Sequence, residues 1–301
     1  MAMLLAVLVL SGLERALSAQ DATQLTGEAL VGSELFSSTD AIAPGAKFEL
    51  AIRFKMKPHW YIYWRNAGGS GMPPSIDVQV PEGFVVGETQ WPTPEVFPGA
   101  EPSYGYAGET VLLVPVTAPA KPPSDGVEIT VALNWLVCKK ACLFGQRTHT
   151  LRLPVVGDVG AAHSEHQALF DAWRLRMPRP SKSVNGLRLQ LDDGRFIIEG
   201  PLPGARLVWF YPYDTPGVMP ATPGPIKGRF SNGRFDFDIP LKIEPGNALD
   251  GVLKFAGIVV PIPEDPGRIM SPISIDFSIQ TGKHSSPAVT TSETQAPSAG
   301  S

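Results

Sequence analysis

The sequence predicts an all-β protein, built as two β-sandwiches joined by a short helical connector. Three observations predict it. Proline (31) and glycine (30) make up about a fifth of the 301 residues, a density that breaks helices and suits short strands joined by turns. Alternation of apolar and polar residues, the period of a half-buried strand, recurs through both halves of the chain. A hydrophobic content of 43% is enough to fill cores, while charged residues stay at 18%.

The elements follow in order. Residues 1–22 read as a signal peptide: an apolar run from Met3 to Leu13, then the small residues Ala16, Ser18 and Ala19. The run is too short to span a bilayer comfortably and fits the apolar region of a secretory signal. Residues 23–157 are expected to form the first sandwich. In 46–56 the alternation puts Phe48, Leu50, Ile52, Phe54 and Met56 on one face. Segments 110–117, 127–137 and 147–155 alternate in the same way, the longest through Val127, Ile129, Val131, Leu133, Trp135 and Val137. Pro-Gly clusters at 68–74, 92–99 and 119–123 separate these strands.

Residues 158–182 form the predicted linker. Within it, 161–177 lacks Gly and Pro and carries Leu169, Phe170, Trp173 and Met177 at helical spacing, until Pro178 and Pro180 stop it. Strands return at 185–191, 195–200, 205–212, 226–230, 234–239, 252–260 and 272–279, with hairpin turns at Asp193-Gly194 and Asn232-Gly233. About seven short strands over ~100 residues fit an immunoglobulin-like sandwich at 183–280. Residues 281–301 have no apolar periodicity and read as a disordered tail.

Some functions find no support. A net charge of −4 leaves no basic footprint for nucleic acid. No stretch beyond the N-terminal run approaches ~18 consecutive apolar residues, so the mature protein is expected not to span a membrane; the N-terminal run itself points to export, and a monomer is expected. No nucleophile–base set with a local signature appears, which argues against a hydrolase.

The two cysteines, Cys138 and Cys142, carry the chemistry. They lie in NWLVCKKACLFGQR, between two predicted strands, and so at the tip of a hairpin. Three intervening residues bring the sulfurs within bonding distance where the loop turns back sharply. As a plain staple such a bridge is weak: closing ~5 residues stabilises by about 2 kcal/mol, against ~4.7 kcal/mol for a 100-residue loop. Lys139 and Lys140 flank the sulfurs and favour the reactive thiolate, while Trp135, Leu136, Leu143 and Phe144 offer an apolar docking surface. Three readings stay open on these residues: redox exchange, a structural disulfide and metal binding. Two thiolates alone suit Cu(I). Zinc needs two further donors from His59, His149, His163, His166 and His284.

The segment WLVCKKACLFG resembles the YLVCKDICIP-like motif of the N-terminal periplasmic domain of DsbD-type disulfide reductases, nearest to the branch of the suppressor-of-copper-sensitivity protein ScsB. Three further segments fit that branch: HWYIYWRNAGGSGMPPSI at 59–76, QWPTPEVF at 90–97 and SYGYAGETVLLVPV at 103–116. Leu143-Phe144 departs from it, standing where the branch has Ile-Pro. The resemblance implies that Cys138 and Cys142 are an exchanging pair in a protein-disulfide reductase. Such a domain takes electrons from a thioredoxin-like or membrane donor and passes them to thioredoxin-fold clients. Cys142 is then expected to bond to partners and Cys138 to resolve. No organic cofactor is implied, because the sulfurs carry the electrons. The copper association of the branch keeps a Cu(I) protein as an alternative, and a β-sandwich adaptor with a structural disulfide is the other.

Several neighbours are candidates for supporting roles. Tyr104 and Tyr106, in a glycine-containing loop, could supply an aromatic cap over the sulfurs, or pack in the core. Trp60, Tyr61, Tyr63 and Trp64 alternate around a strand, so half of them belong to the core in any case. Arg65 and Asn66 are placed to fix the following AGGSG loop, and Glu109 to accept a proton.

Overall fold

The computed structural model describes residues 25–99, 102–157, 164–244 and 252–280. The expected signal peptide and tail lie outside these residues. A single turn of helix, α1 (Gly27–Leu30), leads into ten strands: β1 (Val31–Ser37), β2 (Lys47–Met56), β3 (Tyr61–Tyr63), β4 (Ser75–Gln79), β5 (Val85–Val86), β6 (Glu95–Phe97), β7 (Ser103–Ala107), β8 (Glu109–Thr117), β9 (Val127–Cys138) and β10 (Cys142–Leu153). They form a sheet in the order β1-β2-β8-β5 and a second in the order β10-β9-β3-β7-β6, with β4 also on β9. The faces between them bury Leu50, Ile52, Phe54, Leu112, Val131, Leu133 and Trp135, as the alternation of β2 and β9 requires.

Helix α2 (Gln167–Arg174) is shorter than the segment 161–177 that the spacing predicts; residues 161–163 lie outside the described chain. Its role is more than a connector. Phe170 and Trp173, with Met177 beyond the helix, pack on Ala51, Val111 and Leu113, on the outward face of the β2–β8 pair. This explains why 110–117 reads as an almost continuous apolar run: β8 is buried on both faces.

The second half contains β11 (Arg179–Pro180), β12 (Arg188–Asp192), β13 (Arg195–Pro201), β14 (Ala205–Pro212), β15 (Val218–Pro220), β16 (Ile226–Lys227), β17 (Arg229–Ser231), β18 (Arg234–Ile243), β19 (Val252–Pro263) and β20 (Ile273–Gln280). One sheet runs β11-β20-β19-β14-β16, the other β12-β13-β18-β15 with β17 on β18. Phe196, Phe210, Phe235, Phe237 and Phe255 fill the space between them. Both expected hairpin turns form, with positive φ at Asp193 and Gly194 (41° and 71°) and at Asn232 and Gly233 (51° and 69°). The protein is all-β, of the immunoglobulin-like kind.

The two cores are not separate. Tyr211, Ile258 and Val260 of the second half belong to the buried cluster of the first sandwich. Trp64 meets Tyr211 edge-on at 6.3 Å and Tyr213 at 5.5 Å between ring centroids.

Two readings of the sequence are corrected. The stretch 92–99 is not only a separator, since β6 forms within it, and Tyr104 and Tyr106 lie in strand β7 rather than in a loop. In both cases very short strands are recruited by pairing with a neighbour, which periodicity within one segment cannot reveal.

Phe54 is fully buried and meets the Trp135 ring edge-on at 5.8 Å. Phe54→Ala is expected to cost about 3–5 kcal/mol, read as a shift of the urea midpoint; a loss below about 1 kcal/mol would show that this ring is not central to the core.

Candidate functional site

The β9–β10 hairpin sets the position of the sulfurs. The strands pair without a break from Val127↔Leu153 to Cys138↔Cys142, so the cysteines face each other at the last rung and are joined by a disulfide. Strand β10 starts five residues earlier than its alternation suggests. Gly145 allows this, because a Cβ there would come within 2.5 Å of the Trp135 indole.

The pleat then sorts the side chains. Trp135 and Val137 point into the core, both with no exposed surface, so Leu136 and Cys138 point outward. Yet Cys138 is only 2% exposed. On β9's other edge Tyr61 pairs with Cys138, and Tyr63 lies one outward position further along β3. Tyr63, Ala67 and Cys138 form a small buried cluster with Tyr61 and Leu136 against it. Phe97 stacks on Tyr61 with centroids 4.1 Å apart and planes 12° from parallel. Cys142, Lys139, Lys140 and Ala141 are exposed, and Phe144 beside them is 52% exposed. The disulfide is therefore one-sided, with one sulfur covered and the other facing solvent.

Tyr63 is the side chain brought to a sulfur: its hydroxyl lies 3.7 Å from Cys142 Sγ. Burial, with the adjacent Tyr61 hydroxyl, pushes its pKa up to about 12. It stays protonated at neutral pH and can donate to sulfur. Gly71 packs flat on the Tyr63 ring, where a Cβ would fall 2.1 Å from a ring carbon. The glycine-rich loop thus covers the tyrosine that covers the cysteines.

The other candidates are distributed differently. Trp135 is core. Tyr106 pairs with Ile62 and so takes the core side of the sheet, where its hydroxyl donates to the Pro92 carbonyl at 2.8 Å. Tyr104 packs edge-on to Trp64 and Tyr211. Neither caps the sulfurs; Tyr61 and Tyr63 do, because β3 rather than β7 is β9's neighbour. Glu109 opens β8 on the other sheet, across from Lys55, with an exposed side chain and no contact to sulfur among the described residues. His149 hydrogen-bonds Ser33 at 2.8 Å, His166 precedes α2 and packs on Phe36, and His59 sits in a turn with φ 70°. His163 and His284 lie outside the described residues. Among the described residues no group of three or more His, Cys, Asp or Glu could hold a metal ion. No helix among them is long and apolar enough to cross a membrane.

Tyr61, Tyr63, Ala67, Gly71 and Phe97 were not singled out as cover for the sulfurs. The alternation in WYIYW shows that Tyr61 and Tyr63 share a face, but not that this face is the one Cys138 occupies.

Comparison with known proteins agrees with this geometry. Residues 30–154 match the family described as thiol:disulfide interchange protein DsbD, N-terminal, so the first sandwich is a DsbD-type N-terminal domain. Among solved structures, the N-terminal periplasmic domain of ScsB from Proteus mirabilis superposes with a TM-score of 0.56 at 15% identity, over 83% of this chain and 94% of that one. That match extends the shared fold through both sandwiches. The YadV chaperone aligns over 81% of this chain and 99% of its own at 10% identity, but its TM-score of 0.22 carries no argument. No curated protein sequence matches the chain.

Five of the six tyrosines (Tyr63, Tyr104, Tyr106, Tyr211 and Tyr213) have pKa values raised by burial. A raised phenol favours the folded state while it is neutral, so its contribution is complete below the unfolded value of ~10 and is lost as pH climbs through the folded one. Tyr63 and Tyr104, both near 12, set the window. Melting temperature should hold up to about pH 10 and fall steeply towards pH 12, with most tyrosinate absorbance appearing only as the protein unfolds. Free titration of all six near pH 10 would contradict this burial.

Proposed function

We propose that this DsbD-type domain performs thiol–disulfide exchange in the periplasm, relaying electrons from a membrane or thioredoxin-like donor to thioredoxin-fold clients through Cys138 and Cys142. The observation that carries the reading is the one-sided disulfide at the hairpin tip, Cys142 exposed and Cys138 buried under Tyr61 and Tyr63. The apolar N-terminal run supports export, and the oxidising periplasm is where such a disulfide persists between turnovers.

The asymmetry supports a division of roles between the two sulfurs. A donor thiolate attacks Cys142 Sγ, the sulfur within reach. A bond forms between them, the Cys138–Cys142 bond breaks, and its electron pair leaves on Cys138 as thiolate. A second donor thiolate attacks the donor's own sulfur in the mixed disulfide, which releases Cys142 reduced and the donor oxidised. In the return half-reaction the Cys142 thiolate attacks a client disulfide, and the Cys138 thiolate then attacks Cys142 Sγ. The protein disulfide re-forms and the client leaves with two electrons; with two protons it becomes a dithiol. The Tyr63 hydroxyl donates to Cys142 sulfur and, with the positive charge of Lys139 and Lys140, favours its thiolate. Phe144, on the same face as Cys142, supplies exposed apolar surface for a partner.

The first test is the reduction potential, from equilibration with glutathione or dithiothreitol and thiol trapping. A value between ~−270 and ~−120 mV is expected of an exchange protein, while one below ~−300 mV marks a structural bridge and sinks the proposal. Trapping assigns the sulfurs: Cys138→Ser, which leaves Cys142 free, should accumulate mixed disulfides with a thioredoxin-fold protein, and Cys142→Ser should not. Tyr63→Phe should raise the Cys142 thiol pKa in the reduced protein and slow exchange at neutral pH several-fold. Phe144→Ala should slow exchange with a protein partner yet leave the rate with dithiothreitol unchanged; equal slowing of both would count against a docking role.

A further inference from the structure

Three consecutive residues after β3 bind the second sandwich. Trp64 packs its ring on Tyr211 and Tyr213. The Arg65 guanidinium stands 3.9 Å from the centroid of the Tyr213 ring. The Asn66 side-chain amide donates to the Pro212 carbonyl at 2.8 Å. The next residue, Ala67, is already in the buried cluster with Tyr63 and Cys138. The loop that covers the disulfide therefore starts at the domain interface, with no intervening slack.

Asn66 is the joint. While its amide donates to the second sandwich, its Oδ1 accepts from the Gly68 N–H at 2.9 Å. Gly68 takes φ +80°, and a Cβ there would lie 2.4 Å from the Pro102 carbonyl oxygen. This backbone is thus pressed against the segment leading into β7. Ala67 O accepts from Tyr104 N at 2.9 Å, strapping the same loop to β7. Three residues on, Gly71 lies against the ring of Tyr63, whose hydroxyl approaches Cys142 Sγ. Hydrogen bonds from Pro212 to Asn66 and on to Gly68, the short main chain to Gly71, and the contacts of Gly71 with Tyr63 and of Tyr63 with Cys142 make one path to the sulfurs.

We infer that the second sandwich holds the 67–71 loop closed over Tyr63 and the buried Cys138, with Asn66 as the positioning residue that couples the domain interface to release of the Cys138 thiolate. This deepens the exchange reading and rests on it for its biological purpose, since a loop over a purely structural bridge would regulate nothing. Physically it gives the second domain, which contains no cysteine, a part in the chemistry: it sets how firmly the cover is held over Cys138, the sulfur that must leave as thiolate when the exposed Cys142 is attacked.

The test is the rate at which dithiothreitol reduces the disulfide in the full chain, followed by thiol trapping. A dithiothreitol thiolate attacks Cys142 Sγ and expels Cys138 as thiolate; the reagent's second thiol then displaces Cys142 and closes to a cyclic disulfide. No protein partner takes part, so this rate can be read whether or not the proposed relay is correct. Two variants separate the two hydrogen bonds. Asn66→Asp keeps an acceptor for the Gly68 N–H but has no donor for the Pro212 carbonyl; Asn66→Ala loses both. If the interface holds the loop, both variants should be reduced faster, by about three- to tenfold for one lost hydrogen bond. Tyr213→Leu, which removes the stack under Arg65 from the other side, should also accelerate reduction. Phe237→Leu, in the core of the second sandwich and away from the joint, should stay near the wild-type rate. A wild-type rate for Asn66→Asp would overturn the inference, whether or not Asn66→Ala is faster, because the local turn would then hold the loop alone. Equal acceleration by Phe237→Leu would also overturn it, by showing general loosening rather than a joint. Should Asn66→Ala fail to fold, Asn66→Asp, which keeps the turn, decides the matter.

Discussion

The register of β9 against its neighbours governs the rest of the molecule. A strand shows alternate residues to opposite faces, so fixing Trp135 and Val137 in the core commits Cys138 to the outward side. With Cys142 opposite it across the hairpin and Tyr61 opposite it on β3, the sulfurs fall in a row that continues into an aromatic group. A slip by one residue would bury both the disulfide and the polar hairpin tip and turn Trp135 out to solvent. The main core thus holds the disulfide in place from the opposite face of the sheet. The Gly145 contact with Trp135 serves the same end, because the hairpin keeps its pairing up to the last rung only where β10 can approach that indole closely.

Covering one sulfur and exposing the other reconciles two opposed requirements. A fully exposed pair in an oxidising compartment would react with any passing thiol, and a fully buried pair would react with none. With Cys138 buried, only Cys142 presents itself to solvent, and the sulfur behind it is the one whose neighbours are protein. The protonated Tyr63 hydroxyl, held neutral by its own burial, offers a hydrogen bond at Cys142 without adding a charge that would have to be desolvated. The exposed Lys139 and Lys140 supply the positive field from the solvent side, where charge is inexpensive.

Much of this was legible in the sequence, for identifiable reasons. Long alternating strands such as β2 and β9 declare themselves, because one segment contains enough periods to define a face. The turns at Asp193-Gly194 and Asn232-Gly233 do so through residues that tolerate positive φ. The cysteine pair and its hairpin position follow from two such strands on either side. What the sequence could not show is which strands become neighbours. Strands β3, β6 and β7 have three to five residues each and are defined by pairing, so Tyr104 and Tyr106 looked as able to reach the sulfurs as Tyr61 and Tyr63. The face of Tyr106 is decided by its rung with Ile62, and that of Tyr61 by its rung with Cys138. Both are long-range facts. Helix α2 was visible by spacing, but not that its apolar face covers the outer side of β2 and β8.

The joined cores bear on why a DsbD-type domain should come with a second sandwich. A linker with independent domains would leave Trp64, Arg65 and Asn66 facing water, and an exposed tryptophan and an unpaired amide have little to gain from order. Instead Tyr211, the Pro212 carbonyl and Tyr213, at and just beyond the end of β14, take up all three side chains. Those contacts order the backbone just where it leaves β3, and the glycines that follow have the most conformational freedom to lose. A loop of sequence AGGSG has little beyond the Ala67 methyl, buried with Tyr63, with which to hold itself there. Its closed position must be imposed at its ends, by Asn66 and the strap to β7 on one side and by Gly71 on the tyrosine ring at the other. Flexible composition and a fixed conformation are therefore compatible here: the glycines permit the close approach, and the neighbouring domain supplies the order that they lack.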